Sequence, residues 1–430
     1  MIYTEAEVFD FIKEEDVQFI RLAFCDLAGR QKNISILPEE LERAFRDGIS
    51  FDVSAIRGFG SVEKSDLLLF PIPSTLSILP WRPMHGKVVR MFCDIRYPDG
   101  TPFEKDSRGI LCRAVEKAAA MGISVRFGAE FEFYLFRTGE DGEPTRIPFD
   151  RAGYMDVAPD DKGENIRREI CLALLEMGIQ PESSHHESGP GQNENDFRYS
   201  DPLTAADNAI TFRAVVRTVA AQNGLCASFQ PKPLSDRDGS GMHINISAVK
   251  ATADRNGLVA DFSPKPLENE SGNGLHINIS LAGEGSGGKE HAFLAGVLAH
   301  IREITAVLNP EEASYRRLGE RKAPKYIAWS KGNRSTLVRI PAAKGEYTRM
   351  ELRSPDPAAN PYLAFALLIH AGLDGVEKNL PLPPEVTTDL FAKNADTAML
   401  QALPGSLEEA LEAAKKSAFF ASVLPGYFGE

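Results

Sequence analysis

Cysteine is scarce and unpatterned in this chain of 430 residues. Its five cysteines, Cys25, Cys93, Cys112, Cys171 and Cys226, are scattered, odd in number and without metal-type spacing, which suits a reducing cytosol. Long apolar runs are also missing, and no stretch approaches the length of a membrane span. Positive charge is in deficit: 48 Lys and Arg face 61 Asp and Glu, a net charge of −13. That balance argues against nucleic acid or an anionic membrane as partner, while leaving room for a local basic pocket. No P-loop is present, so a bound nucleotide would have to rest on a sheet face. The opening MIYTEAEVFDFIKEEDV is acidic and amphipathic, unlike a signal peptide. A cytoplasmic protein is expected, with neither nucleic acid nor membrane as partner.

What is present reads as an ordinary globular enzyme, with 43% hydrophobic and 25% charged residues. The length suits two domains with a large core. Residues 1–103 read as a small mixed domain, with a helix over Glu5–Glu15, a strand VQFIRLAFCD, a helix from Pro38 to Asp47 and an extended proline-rich connector from Pro71 to Pro83. Residues 104–430 read as a larger domain in which long helices (SRGILCRAVEKAAAMG, then Ala206–Gln222, His291–Val307 and Ala358–Leu373) alternate with polar-faced strands. The class is α+β, a sheet presenting polar side chains to a cleft with helices behind it. Within it, 216–247 and 249–280 align without gaps, with 18 of 32 positions identical. Two copies are too few for a solenoid and indicate a local tandem duplication.

Six potential metal ligands fall on four short segments: Glu130 and Glu132 in GAEFEFYLF, Glu187 and Glu194 in HHESGPGQNENDF, His243 in GSGMHINIS, and Glu351 in TRMELRSPDP. Strand alternation points Glu130 and Glu132 the same way, roughly 7 Å apart, with Ala129, Phe131, Phe133 and Leu135 on the core face. Carboxylates that close repel unless a cation lies between them. Taken singly, each motif has a plainer reading. Alternating acids suit a solvent face, His243 suits a hydrogen-bonded structural histidine, and Arg349, Glu351 and Arg353 suit a surface ion-pair ladder. Together with Arg316, Arg317, Arg334 and Arg339 they fit a cleft that binds phosphate and carboxylate beside divalent metals.

The order FDVSAIRGF, SDLLLFP, GAEFEFYLF, HHESGPGQNENDF, PKPL with GSGMHINIS, SYRRL, NRSTLVRIP and MELRSPDPAANPYLAFALLIHAGLDG resembles glutamine synthetase of the bacterial type over about residues 17 to 415. The resemblance implies a small N-terminal β-grasp domain and a larger catalytic α/β domain with an antiparallel sheet. It also implies self-association into stacked rings, the dodecamer among them, with sites between neighbouring subunits. It implies ATP with two or more Mg2+ or Mn2+ ions, one held by Glu132, Glu187 and Glu194, the other by Glu130, His243 and Glu351. Arg317, Arg334 and Arg353, with Gly239, match positions that bind glutamate and the acyl phosphate, and Arg339 matches one that steadies the transferring phosphate. Asn245, Ser247 and Arg349, with Arg334 and Arg339, fall in the nucleotide part of the site. The implied reaction joins L-glutamate to ammonia through a γ-glutamyl phosphate.

The chain departs from that pattern where ammonium is handled. The family's flap glutamate is replaced by Lys322 in RLGERKAP, with Glu320 two residues away as its substitute. Asp52 remains in FDVSA, but Val53 and Ala55 stand in place of glycine and serine, and Arg57 adds a positive charge. An organic amine or polyamine as nucleophile is therefore a second expectation, and a catalytically impaired scaffold of the same fold a third. A guanidino kinase is opposed by the six-ligand shell. His243 is expected as ligand over its duplicate His276. The ending GYFGE falls short of the family's C-terminal tail, and the tyrosine-free stretch before PGSLEEAL speaks against tyrosine adenylylation.

Overall fold

The computed structural model describes residues 3–81, 85–198, 200–250, 289–319, 323–340 and 350–428, without the side chains of Lys64, Asn245, Lys289 and residues 247–250. The strands β1 (Val17–Cys25), β2 (Gln31–Ile36), β3 (Ile49–Asp52), β4 (Asp66–Pro71), β5 (Ser77–Ile78) and β6 (Lys87–Arg96) form one sheet in the order β2-β1-β6-β4-β3, with β5 beside β6. Its centre is the parallel pair β1 and β6, flanked by antiparallel neighbours. The proline-rich stretch after Pro71 is not wholly a connector, because Ser77 and Ile78 pair with Arg90 and Val89 of β6.

A second sheet of nine strands carries the polar segments. Its members are β7 (Ile123–Thr138), β8 (Pro144–Pro148), β9 (Pro181–His186), β10 (Gln192–Phe197), β11 (Leu225–Ser228), β12 (Met242–Lys250), β13 (Trp329–Lys331), β14 (Val338–Ile340) and β15 (Met350–Leu352). They run β13-β14-β15-β12-β7-β10-β9, with β8 and β11 also on β7. The expected antiparallel pairing is broken at one edge, where β13 and β14 are parallel. Strands this short need only about 10 Å of return path, which six connecting residues span easily.

Behind this sheet lie the helices Ser107–Ala120, Glu164–Glu176, Pro202–Gln222 and Pro361–Glu377, with Lys289–Leu308 packed on the last. Two begin away from their expected starts. Asp201 accepts from Thr204 N ahead of Pro202, so that helix starts four residues before Ala206. Asn360 accepts from Tyr362 N ahead of Pro361, so the last helix starts after Ala358. A cap followed by proline at the first helical position is a strong start signal. Helices Lys289–Leu308 and Pro361–Glu377 meet at glycines: a Cβ on Gly375 would lie 2.1 Å from Ala292 O. Residues Glu290–Leu308 form the one described helix long and apolar enough to cross a membrane, and 72% of its apolar window is buried inside the protein.

The core face of β7 is as expected. Ala129, Phe131, Phe133 and Leu135 are at most 3% exposed, each large side chain contributing about 1.5–3 kcal/mol by leaving water. On β12, Ile244 and Ile246 fill the same layer. The two sheets are joined at Asn360, whose amide donates to Asp26 O, Leu27 O and Ser107 Oγ. Gly29 (φ +70°) passes so close that a Cβ there would lie 2.8 Å from Asn360 Cα.

Candidate active site

Strand registry sets the polar residues in cross-strand rows. Across β9, β10 and β7, His185 stands opposite Glu194, which stands opposite Glu132. In the next row Asp196 pairs with Glu130, and Glu130 with His243 of β12. Further along the sheet, Arg339 of β14 pairs with Glu351, and Glu351 with Asn245. Antiparallel partners hold their side chains about 4.5–5.5 Å apart. The rows thus turn residues distant in sequence into one surface.

That surface lines a cavity bounded by Glu130, Glu132, Tyr154, Glu187, Gln192, Glu194, Asp238, Gly239, Gly241, His243, Arg317, Ala323, Arg334, Glu351 and Arg353. All six expected metal ligands are there, with Gly239, Arg317, Arg334 and Arg353. Arg339 does not line the cavity and contacts Glu351 from beside it. Asp52 does not reach it within its own chain. It ends β3 in the other sheet, where hydrogen bonds from Ser54 hold its carboxyl below the usual range. Glu320, Lys322, Arg349 and His276 lie outside the described residues, as do the side chains of Asn245 and Ser247. The first copy of the duplicated segment supplies the strand between β7 and β15.

The donors group around His243. Its Nδ1 lies 3.2 Å from Glu130 Oε2 and 3.7 Å from Glu351 Oε1, and its Nε2 lies 4.0 Å from Glu132 Oε1. Glu130, His243 and Glu351 could hold one ion, as could Glu132, Glu194 and His243. Glu187 joins through a histidine that sequence reasoning passed over: His185 Nε2 is 3.1 Å from Glu194 and its Nδ1 is 3.9 Å from Glu187. His185 shares strand parity with Glu187, as Gln192 and Asp196 do with Glu194, and that parity was the available signal.

The donor set fits hard divalent ions, being carboxylate oxygens with imidazole. Glu351 Oε2 is buried without a hydrogen bond among the described residues, although Arg339 Nε lies 3.1 Å away. A Cβ on Gly241 would sit 3.0 Å from His243 Nε2 and 3.4 Å from Glu132 Oε1, so glycine keeps the space between donors open. Burial, and next the charges of Asp196 and Glu132, push the Glu194 carboxyl far above its usual range. Burial likewise raises Glu132, against the pull of His243. These groups are crowded beyond what ionised carboxylates tolerate without cations.

Two of the three guanidinium groups are anchored, whereas Arg334 is exposed. Arg353 contacts Glu351 at 2.6 Å and is 2% exposed. Arg317, 4% exposed, donates to Ser354 O and Pro355 O. A Cβ on Gly239 would lie 2.6 Å from Arg317 Cδ, so only glycine lets the 238–241 loop pass that arginine. Behind Glu187, His186 is wholly buried, with Nδ1 at 2.6 Å from Glu187 O and Nε2 at 2.9 Å from Asp150. Burial opposes its charge, but Asp150 and that carbonyl raise its pKa. Asp161 and Arg167 form a buried ion pair alongside, with Asn193 accepting from Arg167 at 2.6 Å.

The family model described as "Glutamine synthetase, catalytic domain" matches residues 104–251 and 247–430, and "Glutamine synthetase, beta-Grasp domain" matches 16–98. A glutamine synthetase of Clostridium saccharobutylicum is 45% identical over 419 residues, covering 96% of this chain and 90% of that protein. One from Methanosarcina mazei is 43% identical over 425 residues, covering 98% and 90%. Among solved structures, GmaS in complex with ADP superposes with a TM-score of 0.82 at 28% identity, covering 97% of this chain and 92% of that one. GmaS without ligand gives 0.82 at 29%, covering 98% and 92%.

Proposed function

The chain belongs to the glutamine synthetase family, and from that premise we propose that it is an ATP-dependent ligase forming glutamine from L-glutamate and ammonia through a γ-glutamyl phosphate. The observation that carries this reading is the cavity itself, where six metal-type donors face Arg317, Arg334 and Arg353. Glu130, His243 and Glu351 would hold one Mg2+ or Mn2+ ion, and Glu132, Glu187 and Glu194 another. When bound, such ions neutralise phosphate oxygens and polarise the group in transfer. Arg317, Arg334 and Arg353 bind and orient the acid and its acyl phosphate, and Arg339 steadies the transferring phosphate. The buried guanidinium groups of Arg317 and Arg353 offset repulsion between two anions without reorganising during the step.

Attack on the acyl phosphate needs a neutral amine, so a carboxylate must take a proton from ammonium. Asp52 and Glu320 are assigned that part. Since Asp52 lies off the cavity in its own chain, it would act on the cavity of a neighbouring copy, which fits assembly into rings. We assign the small domain to residues 1–103, the catalytic domain to 104–430, and the protein to the cytoplasm.

A second reading, a γ-glutamyl-amine ligase, is favoured by one set of residues: Lys322 and Ala55 in the flap and ammonium positions, with Val53 buried to 1% exposure. Phosphate release from ATP with Mg2+ and glutamate decides between them, comparing ammonium with mono- and polyamines. Stimulation by ammonium with glutamine as product supports the first reading. Stimulation by an organic amine alone replaces it with the second, and stimulation by neither refutes both.

A further inference from the structure

Gln192 is 1% exposed, and its side-chain amide is saturated. Nε2 donates to Glu132 Oε2 at 3.0 Å and to Gly239 O at 3.1 Å. Oε1 accepts from Gly189 N at 2.9 Å, and the Tyr134 hydroxyl lies 3.3 Å from it. The orientation is forced. A carboxylate and a carbonyl only accept and a backbone N–H only donates, so a flipped amide would set like against like at all three contacts.

The three partners belong to different parts of the site. Glu132 is a metal ligand in the reading above, Gly239 belongs to the loop that receives glutamate, and Gly189 sits in the turn that carries Glu187. Glu132 Oε2 also accepts from Gly241 N at 2.9 Å. The loop is therefore fastened to Glu132 twice, directly through the Gly241 N–H and through the Gln192 amide at the Gly239 carbonyl. Tyr134, two residues along the strand from Glu132, braces the loop by donating to Asp238 O at 2.6 Å.

We propose that Gln192 is a positioning residue that couples divalent-metal binding at Glu132 to glutamate binding at the Gly239 loop. The proposal rests on the assignment of Glu132 and Gly239 made above. An ion on Glu132 fixes the carboxylate plane, and the two coplanar amide hydrogens of Gln192 pass that constraint to the Gly239 carbonyl. Linkage makes the effect reciprocal: glutamate in the loop tightens the metal by the factor by which the metal tightens glutamate.

The test uses the full chain and two variants. Gln192→Met keeps length but removes the amide, and Gln192→Glu keeps shape but sets a carboxylate against Glu132. Mn2+ binding is read from the free-ion paramagnetic resonance signal with and without glutamate. Glutamate binding is read by calorimetry with and without Mn2+. Both variants should bind Mn2+ about tenfold more weakly, and the mutual tightening should fall at least about fivefold. Tyr134→Phe, which removes the bond to Asp238 O and a contact to Gln192 Oε1 but leaves both amide hydrogens of Gln192 on their acceptors, should weaken glutamate and lower the mutual factor less than either Gln192 variant does. Parental coupling in either folded Gln192 variant overturns the proposal. Failure of the unaltered chain to bind Mn2+ or glutamate overturns the site assignment, and the proposal with it.

Discussion

Glu351 is the residue at which stability and metal binding separate most cleanly. It is 4% exposed, with Arg353 at 2.6 Å and Arg339 at 3.1 Å. Unit charges about 4 Å apart interact by about 4 kcal/mol at an effective dielectric constant of 20. Glu351→Ala removes the shared anion and leaves two largely buried guanidinium groups without it. Stripping one partner from a buried pair costs about 3–5 kcal/mol. Glu351→Gln keeps an acceptor for Arg353 and should cost about 1–3 kcal/mol. Urea unfolding with a chelator present, at fixed protein concentration, isolates this cost from lost metal binding. Mn2+ titration then reports the second effect, which should appear in both variants. An alanine variant within about 1 kcal/mol of the parent would refute the claim that Glu351 holds this arginine pair in place.

Gly239→Ala must displace Arg317 Cδ or Pro231 O, each 2.6 Å from the new Cβ. We expect about 1–3 kcal/mol of destabilisation and a rise in the KM for glutamate greater than in that for ATP, measurable by steady-state kinetics. Burial alone would depress the His300 imidazolium, but hydrogen bonds to Glu303 and Asp374 raise its pKa. Its contribution is therefore fully present below the unfolded pKa and lost as pH rises through the folded one. The stability advantage of the parent over His300→Gln should shrink from mildly acidic to alkaline pH in paired unfolding curves, and an advantage growing with pH would contradict this. Lys322→Glu places a carboxylate at the proposed flap position and should raise ammonium-dependent phosphate release relative to that with organic amines. An unchanged ratio would remove Lys322 from the account of amine preference.

Much of the site was legible because strand alternation is a rigid rule. Once GAEFEFYLF and GSGMHINIS read as strands, Glu130 and Glu132 had to share a face opposite Phe131, and Ile244 and Ile246 had to enter the core. The same rule applied to QNENDF would have put Gln192 and Asp196 beside Glu194, but attention to ligand types hid an amide. Pairings between distant segments were less accessible. Asp150 and His186 are 36 positions apart, and Arg167 and Asn193 are 26 apart. No local pattern announces such partners, which are set by how a loop folds beneath a strand. Helix starts at Pro202 and Pro361 were misplaced for a different reason. Apolar periodicity puts the first start four residues too late, inside the helix, and the second three residues too early, outside it, whereas in both the start is fixed by a capping side chain followed by proline.

The inventory of the cavity wall has a consequence for the order of events. Six carboxylates, from Glu130, Glu132, Glu187, Glu194, Asp238 and Glu351, face three guanidinium groups there. With all six ionised, the pocket would carry a net negative formal charge and repel the anionic molecules it is proposed to join. Two divalent cations reverse its formal sign. On that charge balance cation entry would act as a permission step, with nucleotide and amino acid accepted after it. At limiting divalent-ion concentration, the enzyme should behave as though its substrates were scarce.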